Sequence, residues 1–153
     1  ESLRNMVKDG VGILKVGPAL TFAAREALYA LSYIEDEMDV HDRSGFIEVL
    51  DRCMRKDPGS WKGHYTSEEP ESSLLRKFSY SDRSRYYMTY PEVMDAIDKL
   101  FINTGSMPDV LISQFMPVQY KKIREGELEK DPEALVIDHI KEVLDVYWRA
   151  CGE

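Results

Sequence analysis

The sequence predicts a mainly α-helical chain that carries one β/α unit close to its N-terminal end. Three observations predict it. Apolar residues recur at spacings of three and four over most of the chain, the pattern of helices that bury one face. Residues 11–16 (VGILKV) interrupt that pattern with an almost continuous apolar run, which suits a strand covered on both faces. Gly17-Pro18 then turns the chain straight into a helical pattern, so the turn falls at the strand's C-terminal end, where ligands bind in α/β barrels and open sheets. One β/α unit cannot form a sheet alone. The missing strands are expected upstream of Glu1, and the chain reads as the C-terminal piece of a longer protein.

Taken in order, Leu3 to Lys8 has the pattern of a helix end, stopped at Asp9-Gly10, where glycine tolerates the left-handed conformation that closes a helix. After the strand, a helix is expected over residues 19–35, with Leu20, Ala24, Ala27, Leu31 and Ile34 as the stripe that packs on a sheet and Arg25 and Glu26 off it. The acidic run 35–39 (EDEMD) reads as a solvated exit. Residues 46–56 are helical in period, and 61–69 (WKGHYTSEE) read as a loop with aromatic anchors. A helix over 70–78 would bury Leu74, Leu75 and Phe78. Pro91 takes the first-turn position of a clearer helix whose inner face is Val93, Ile97, Leu100 and Phe101. The run 108–116 (PDVLISQFM) fits strand or helix, and 118–123 fits a short helix ended by Gly126. In the last helix Asp131 caps, Pro132 starts, and Val136, Ile140, Val143, Leu144 and Tyr147 form the apolar stripe.

Composition narrows the function classes. The 153 residues are 43% apolar and 31% charged, values ordinary for a soluble globular protein with a core. A net charge of −8 argues against a general nucleic-acid binder, which needs a concentrated positive face. No apolar run is long enough to cross a bilayer. Cys53 and Cys151 share no metal or redox spacing and fit reduced thiols of a cytoplasmic protein. His41, His64 and His139 are equally scattered. No phosphate-cradling loop, nucleophile elbow or zinc helix occurs, so the residues name no catalytic group and no metal ligand.

The most distinctive local chemistry is Arg76 to Tyr90 (RKFSYSDRSRYYMTY), with a net charge of +3 and four tyrosines. Arginine forks bind phosphate or carboxylate in pairs of hydrogen bonds. Arg83 and Arg85 therefore mark either an anion site, with sugar phosphate as one ligand, or pairs with carboxylates such as those at 35–39. Near the turn, Lys15 sits at the end of the expected strand and Thr21 in the first turn of the next helix, where free N–H groups favour an anion.

Four stretches carry a family resemblance: 13–22 (ILKVGPALTF), 78–87 (FSYSDRSRYY), 111–120 (LISQFMPVQY) and 138–147 (DHIKEVLDVY). Together they resemble, in order, the C-terminal portion of the non-catalytic (accessory) subunit family of class II D-tagatose-1,6-bisphosphate aldolase, also known under the name tagatose-6-phosphate kinase. The resemblance implies a larger protein whose N-terminal part is a TIM-type (β/α)8 barrel. Residues 1–38 would be the terminal β/α unit of that barrel, and 39–153 a helical C-terminal domain. It implies support of the activity and stability of the catalytic aldolase subunit in galactitol or N-acetylgalactosamine catabolism, with zinc in that partner and no cofactor in this chain. The alternative is a tagatose-6-phosphate kinase or another sugar-phosphate enzyme with its catalytic residues upstream. Catalytic class II aldolases carry an Asn and a Thr-Asp pair after strand eight. Here the region reads Lys15-Val-Gly-Pro-Ala-Leu-Thr21, so that motif is not intact, and only Lys15, Gly17 and Thr21 hold rim positions for a sugar phosphate.

Overall fold

The computed structural model describes residues 2–65 and 68–152, which form α-helices joined by turns and two short 3-10 segments, with no strand among the described residues. The helices are α1 (Ser2–Lys8), α2 (Ala19–Glu37), α3 (Phe46–Lys56), α4 (Glu71–Phe78), α5 (Pro91–Thr104), α6 (Asp109–Phe115), α7 (Pro117–Arg124) and α8 (Pro132–Cys151). The mainly helical fold class holds.

α1 ends as expected. Gly10 has φ +86°, its N–H donates to the Val7 carbonyl, and the Val11 N–H reaches back to Met6, so a paired turn satisfies the last carbonyls. Residues 11–16 differ from expectation: they form no strand. A strand exists only by hydrogen bonding to a neighbour, and no described segment supplies one. The run therefore stays irregular, with Ile13 87% exposed despite its apolar character.

α2 is the central element. It packs against α8, α5, α6 and α3, so its apolar stripe meets helices where the sequence suggested a sheet. Ala23, Ala27, Leu31 and Ile34 are buried on it, while Leu20 and Ala24 are only half-buried. The expected stripe is thus rotated by about one residue toward Ala23. Around α2 the core gathers Phe46, Leu50 and Met54 from α3, Val93 and Leu100 from α5, Ile112 from α6 and Leu135 from α8, joined by Tyr87 and Met107 from the connections. Each fully buried aliphatic side chain contributes on the order of 1.5–3 kcal/mol from water exclusion.

α4 buries another face than the pattern indicated, whereas α5 keeps the expected one and widens it. In α4, Leu74 and Phe78 are exposed and Ser72 and Arg76 are buried, because the helix is drawn inward by ion pairs more than by apolar packing. In α5, Ala96 and Thr104 join Val93 and Leu100 inside, and Ile97 and Phe101 cover the core edge half-buried. The ambiguous run 108–116 is helix α6, entered from an extended Pro108. α7 closes at Gly126 (φ +75°) by the same paired turn as α1. α8 starts as predicted, with Asp131 accepting from the Ala134 N–H at 2.9 Å. Trp61 and Tyr65 are buried anchors of the loop after α3; Thr66 and Ser67 of that loop lie outside the described residues.

Candidate functional site

The segment from Arg76 to Tyr90 leaves α4, crosses the N-terminal half of α2 and ends at Pro91 of α5. Its three arginines are held by hydrogen bonds and ion pairs to the protein itself. Arg76 has a side chain only 2% exposed. Its Nε donates to Asp51 Oδ1 at 2.6 Å, its Nη1 to Glu69 Oε1 at 2.7 Å and Ser72 Oγ at 2.9 Å, and its guanidinium lies 5.0 Å from the Trp61 ring centre. Burial by itself pushes this group's pKa down; the Asp51 and Glu69 carboxylates reverse that and leave it raised.

Arg25, expected off the buried stripe of α2, is instead buried. Its Nη1 donates to the Lys77 carbonyl and its Nη2 to the Ser79 carbonyl at 3.1 Å. One guanidinium thus satisfies carbonyls at the C-terminal end of α4, where a helix leaves acceptors free and favours a cation. Its Nε stands 3.5 Å from Asp82 Oδ1, and its planar head rests 4.7 Å from the Phe22 ring centre and 5.7 Å from that of Tyr29. Asp82 accepts the Ser84 N–H at 3.1 Å and the Ser84 hydroxyl at 2.6 Å. Arg25 Nε and Asp82 Oδ2 make no hydrogen bond among the described residues.

Arg83 and Arg85 share the Tyr86 ring, at 4.9 and 4.5 Å from its centre. Arg83 Nε donates to the Ser60 carbonyl at 2.7 Å; Arg85 donates to the Asp82 carbonyl and to the Tyr86 hydroxyl. Their partners are not the carboxylates at 35–39. Two of those are engaged elsewhere, because the exit of α2 folds back on itself: Glu35 is buried and accepts from Ser44 N–H, Ser44 Oγ and Asn103 Nδ2 at 2.6–2.8 Å, while Asp36 pairs with Arg43. The solvated exit expected there therefore includes a buried acid. Farther along, Tyr90 donates to Asp57 Oδ2 at 2.6 Å, which pushes the phenol up to about 12 and holds the Asp57 carboxyl below its usual range.

The remaining predicted positions lie on the irregular segment and the turn after it. Lys15 is exposed, Gly17 has φ +64°, and the Thr21 hydroxyl donates to the Pro18 carbonyl at 3.0 Å. Among the described residues no hydrogen bond or ion pair joins these three to Arg83 or Arg85, and no group of three or more His, Cys, Asp or Glu is gathered as a metal site. Cys53 and Cys151 are free thiols. Arg25 is the functional-looking residue that periodicity missed. The available signal was Phe22, Arg25 and Tyr29 at spacings of three and four, which puts an arginine between two rings on one face.

Beside this network a groove of about 470 Å³ runs along α2, walled by Phe22, Tyr29, Tyr33, Phe78, Tyr80 and Phe115. Phe22 stacks on Tyr80 at 5.3 Å and Tyr29 meets Phe78 edge-on at 5.8 Å.

The chain is thus a helical unit with an aromatic groove at its surface, and with Arg25, Arg76, Arg83 and Arg85 bonded to its own residues. Residues 1–152 match the family model described as D-tagatose-1,6-bisphosphate aldolase subunit GatZ/KbaZ-like, and the chain belongs to that family. It is 43% identical over 154 residues to the D-tagatose-1,6-bisphosphate aldolase subunit GatZ of Salmonella paratyphi B (strain ATCC BAA-1250 / SPB7), an alignment covering 99% of this chain and 36% of the relative. The GatZ of Salmonella newport (strain SL254) matches with the same values. A solved structure, "Crystal structure of a probable tagatose 6 phosphate kinase from Sinorhizobium meliloti 1021", superposes with a TM-score of 0.91 at 40% identity, covering 98% of this chain and 40% of that one. The chain thus spans little more than a third of the length of the curated relatives it matches.

Proposed function

We propose that this chain is part of a non-catalytic subunit that supports the activity and stability of a class II D-tagatose-1,6-bisphosphate aldolase, in cytoplasmic catabolism of galactitol or N-acetylgalactosamine through tagatose phosphates. The observation that carries the reading is family membership over residues 1–152 beside relatives named as aldolase subunits. The geometry favours it: Arg25, Arg76, Arg83 and Arg85 hold this chain's own carbonyls and carboxylates, so the segment braces a binding surface.

In this reading residues 1–38 are the closing β/α unit of a TIM-type barrel and 39–153 its helical companion. Supporting that division, residues 11–16 are mostly apolar yet pair with no neighbouring strand among the described residues, and Ile13 is 87% exposed. Zinc belongs to the catalytic partner, and this chain needs no cofactor of its own. Lys15, Gly17 and Thr21 would stand at the barrel mouth for a sugar phosphate, with Arg83 and Arg85 as secondary contacts only through N–H groups left over from their bonds to Ser60, Asp82 and Tyr86.

The test is the rate and half-life of the purified catalytic subunit with and without the full-length protein. Higher rate and longer half-life are expected; no change in either would reject the reading. A second reading, a tagatose-6-phosphate kinase, is favoured by the name of the solved relative. ATP-dependent turnover of tagatose 6-phosphate by the purified protein alone would establish it. Loss of tagatose-phosphate binding in Lys15→Ala or Thr21→Ala is the check on the rim residues.

A further inference from the structure

We infer that the aromatic groove beside α2 is the docking site for a segment of the partner protein that presents an arginine or lysine flanked by apolar residues. This rests on the accessory-subunit reading and assigns that reading a surface.

Three observations carry the inference. Phe78 and Tyr80 are 50% and 87% exposed, adjacent on one edge of the groove, and held in place by the rings of Tyr29 and Phe22. Large, pre-positioned aromatic surface left open to water is the composition of interface hot spots. Tyr29 lines the same groove at 6% exposure, yet no described residue accepts a hydrogen bond from its hydroxyl; Tyr65, Tyr87 and Tyr90 each donate to an acceptor within the chain. That hydroxyl faces the groove, so a backbone carbonyl of a docked segment can take its proton in place of water.

Charge selects the side chain. The Arg25 guanidinium on the groove floor is already matched by Asp82 and two carbonyls, so the exposed charge on the wall is the Glu26 carboxylate, 52% exposed with His139 Nε2 3.6 Å away. Aromatic faces beside an exposed carboxylate attract a cation. Arg25 lying over Phe22 and Tyr29 demonstrates that these rings accept a guanidinium.

The experiment titrates purified catalytic D-tagatose-1,6-bisphosphate aldolase subunit into the full-length protein by calorimetry. The combined Phe78→Ala and Tyr80→Ala variant is expected to weaken Kd about tenfold or more. Glu26→Lys should weaken it through charge, and Tyr29→Phe should weaken it through loss of one hydroxyl while keeping the buried ring. Trp148→Ala, exposed on α8, should bind as the unaltered protein does. Both groove rings are exposed, so circular dichroism and melting temperature should stay close to wild type. Groove variants that bind like wild type would overturn the inference and leave the accessory reading standing. A wild-type protein that forms no complex would remove both.

Discussion

Arg76 and Asp51 form a 2.6 Å hydrogen-bonded ion pair that joins α4 to α3 with side chains only 2% and 10% exposed. Sequence separates them by 25 positions, and α4 has two apolar side chains pointing to water on its other side. The pair, with Glu69 and Ser72, decides which face of α4 turns inward. Removing Arg76 leaves Asp51 with only the more exposed Arg55, and removing Asp51 leaves the buried guanidinium with only Glu69 and Ser72; breaking a buried pair in this way typically costs about 3–5 kcal/mol. Arg76→Ala should therefore lower the urea unfolding free energy by roughly 3 kcal/mol. The Asp51→Ala, Arg76→Ala double variant should lose less than the sum of the single losses.

Arg25 tests the difference between charge and shape. Lysine keeps the cation, but one ammonium cannot replace a planar fork that reaches the carbonyls of Lys77 and Ser79 and lies over two rings. Arg25→Lys is expected to destabilise by about 2 kcal/mol, and Arg25→Met by more, since Asp82 then stays buried without its counter-charge. Equal stability of Arg25→Lys and wild type in urea melts would contradict this account.

The Tyr90–Asp57 hydrogen bond gives a pH signature. The folded phenol titrates near 12 against an ordinary 10.0, chiefly because the hydrogen bond to Asp57 is lost on ionisation. A raised folded value means that the stabilisation is fully present below pH 10 and fades as pH rises toward about 12. Asp57→Asn should bring one tyrosine back toward the ordinary value. The check is a difference titration of tyrosinate absorbance between wild type and Asp57→Asn.

Core and surface positions on the same apolar sequence pattern should behave oppositely. Leu31, at 0% exposure on α2, should cost about 3 kcal/mol when cut to alanine. Leu74→Ala, 59% exposed on α4, should stay within about 0.5 kcal/mol of wild type. Chemical denaturation of the two variants side by side measures both.

Ile13 separates the short chain from the longer protein. In the 153-residue chain Ile13→Asp should leave stability within about 0.5 kcal/mol, because the side chain is already 87% exposed. In the full-length protein, burial of 11–16 as a barrel strand would make the same change cost about 2 kcal/mol or more. Equal small effects in both proteins would argue against the strand.

Most of the helices and most of their ends are legible in the linear sequence. Proline at a first turn, Asp131 as a cap, and Gly10 and Gly126 as stops act through one to five neighbouring residues, so a linear reading reaches them. The motifs that carry the family resemblance are also local words, and residues 1–152 do match that family. Which faces were buried and where the charges went depended on packing between distant segments. The stripe of α2 shifted to admit Arg25, α4 turned Arg76 inward and Phe78 outward, and Glu35 closed a loop with Ser44 and Asn103. Each outcome depends on partners 9 to 68 residues away that repay the desolvation of a charged group. The same reason explains residues 11–16: their apolar pattern is local, but a strand is a relation between segments, and none of the described segments pairs with them as a strand.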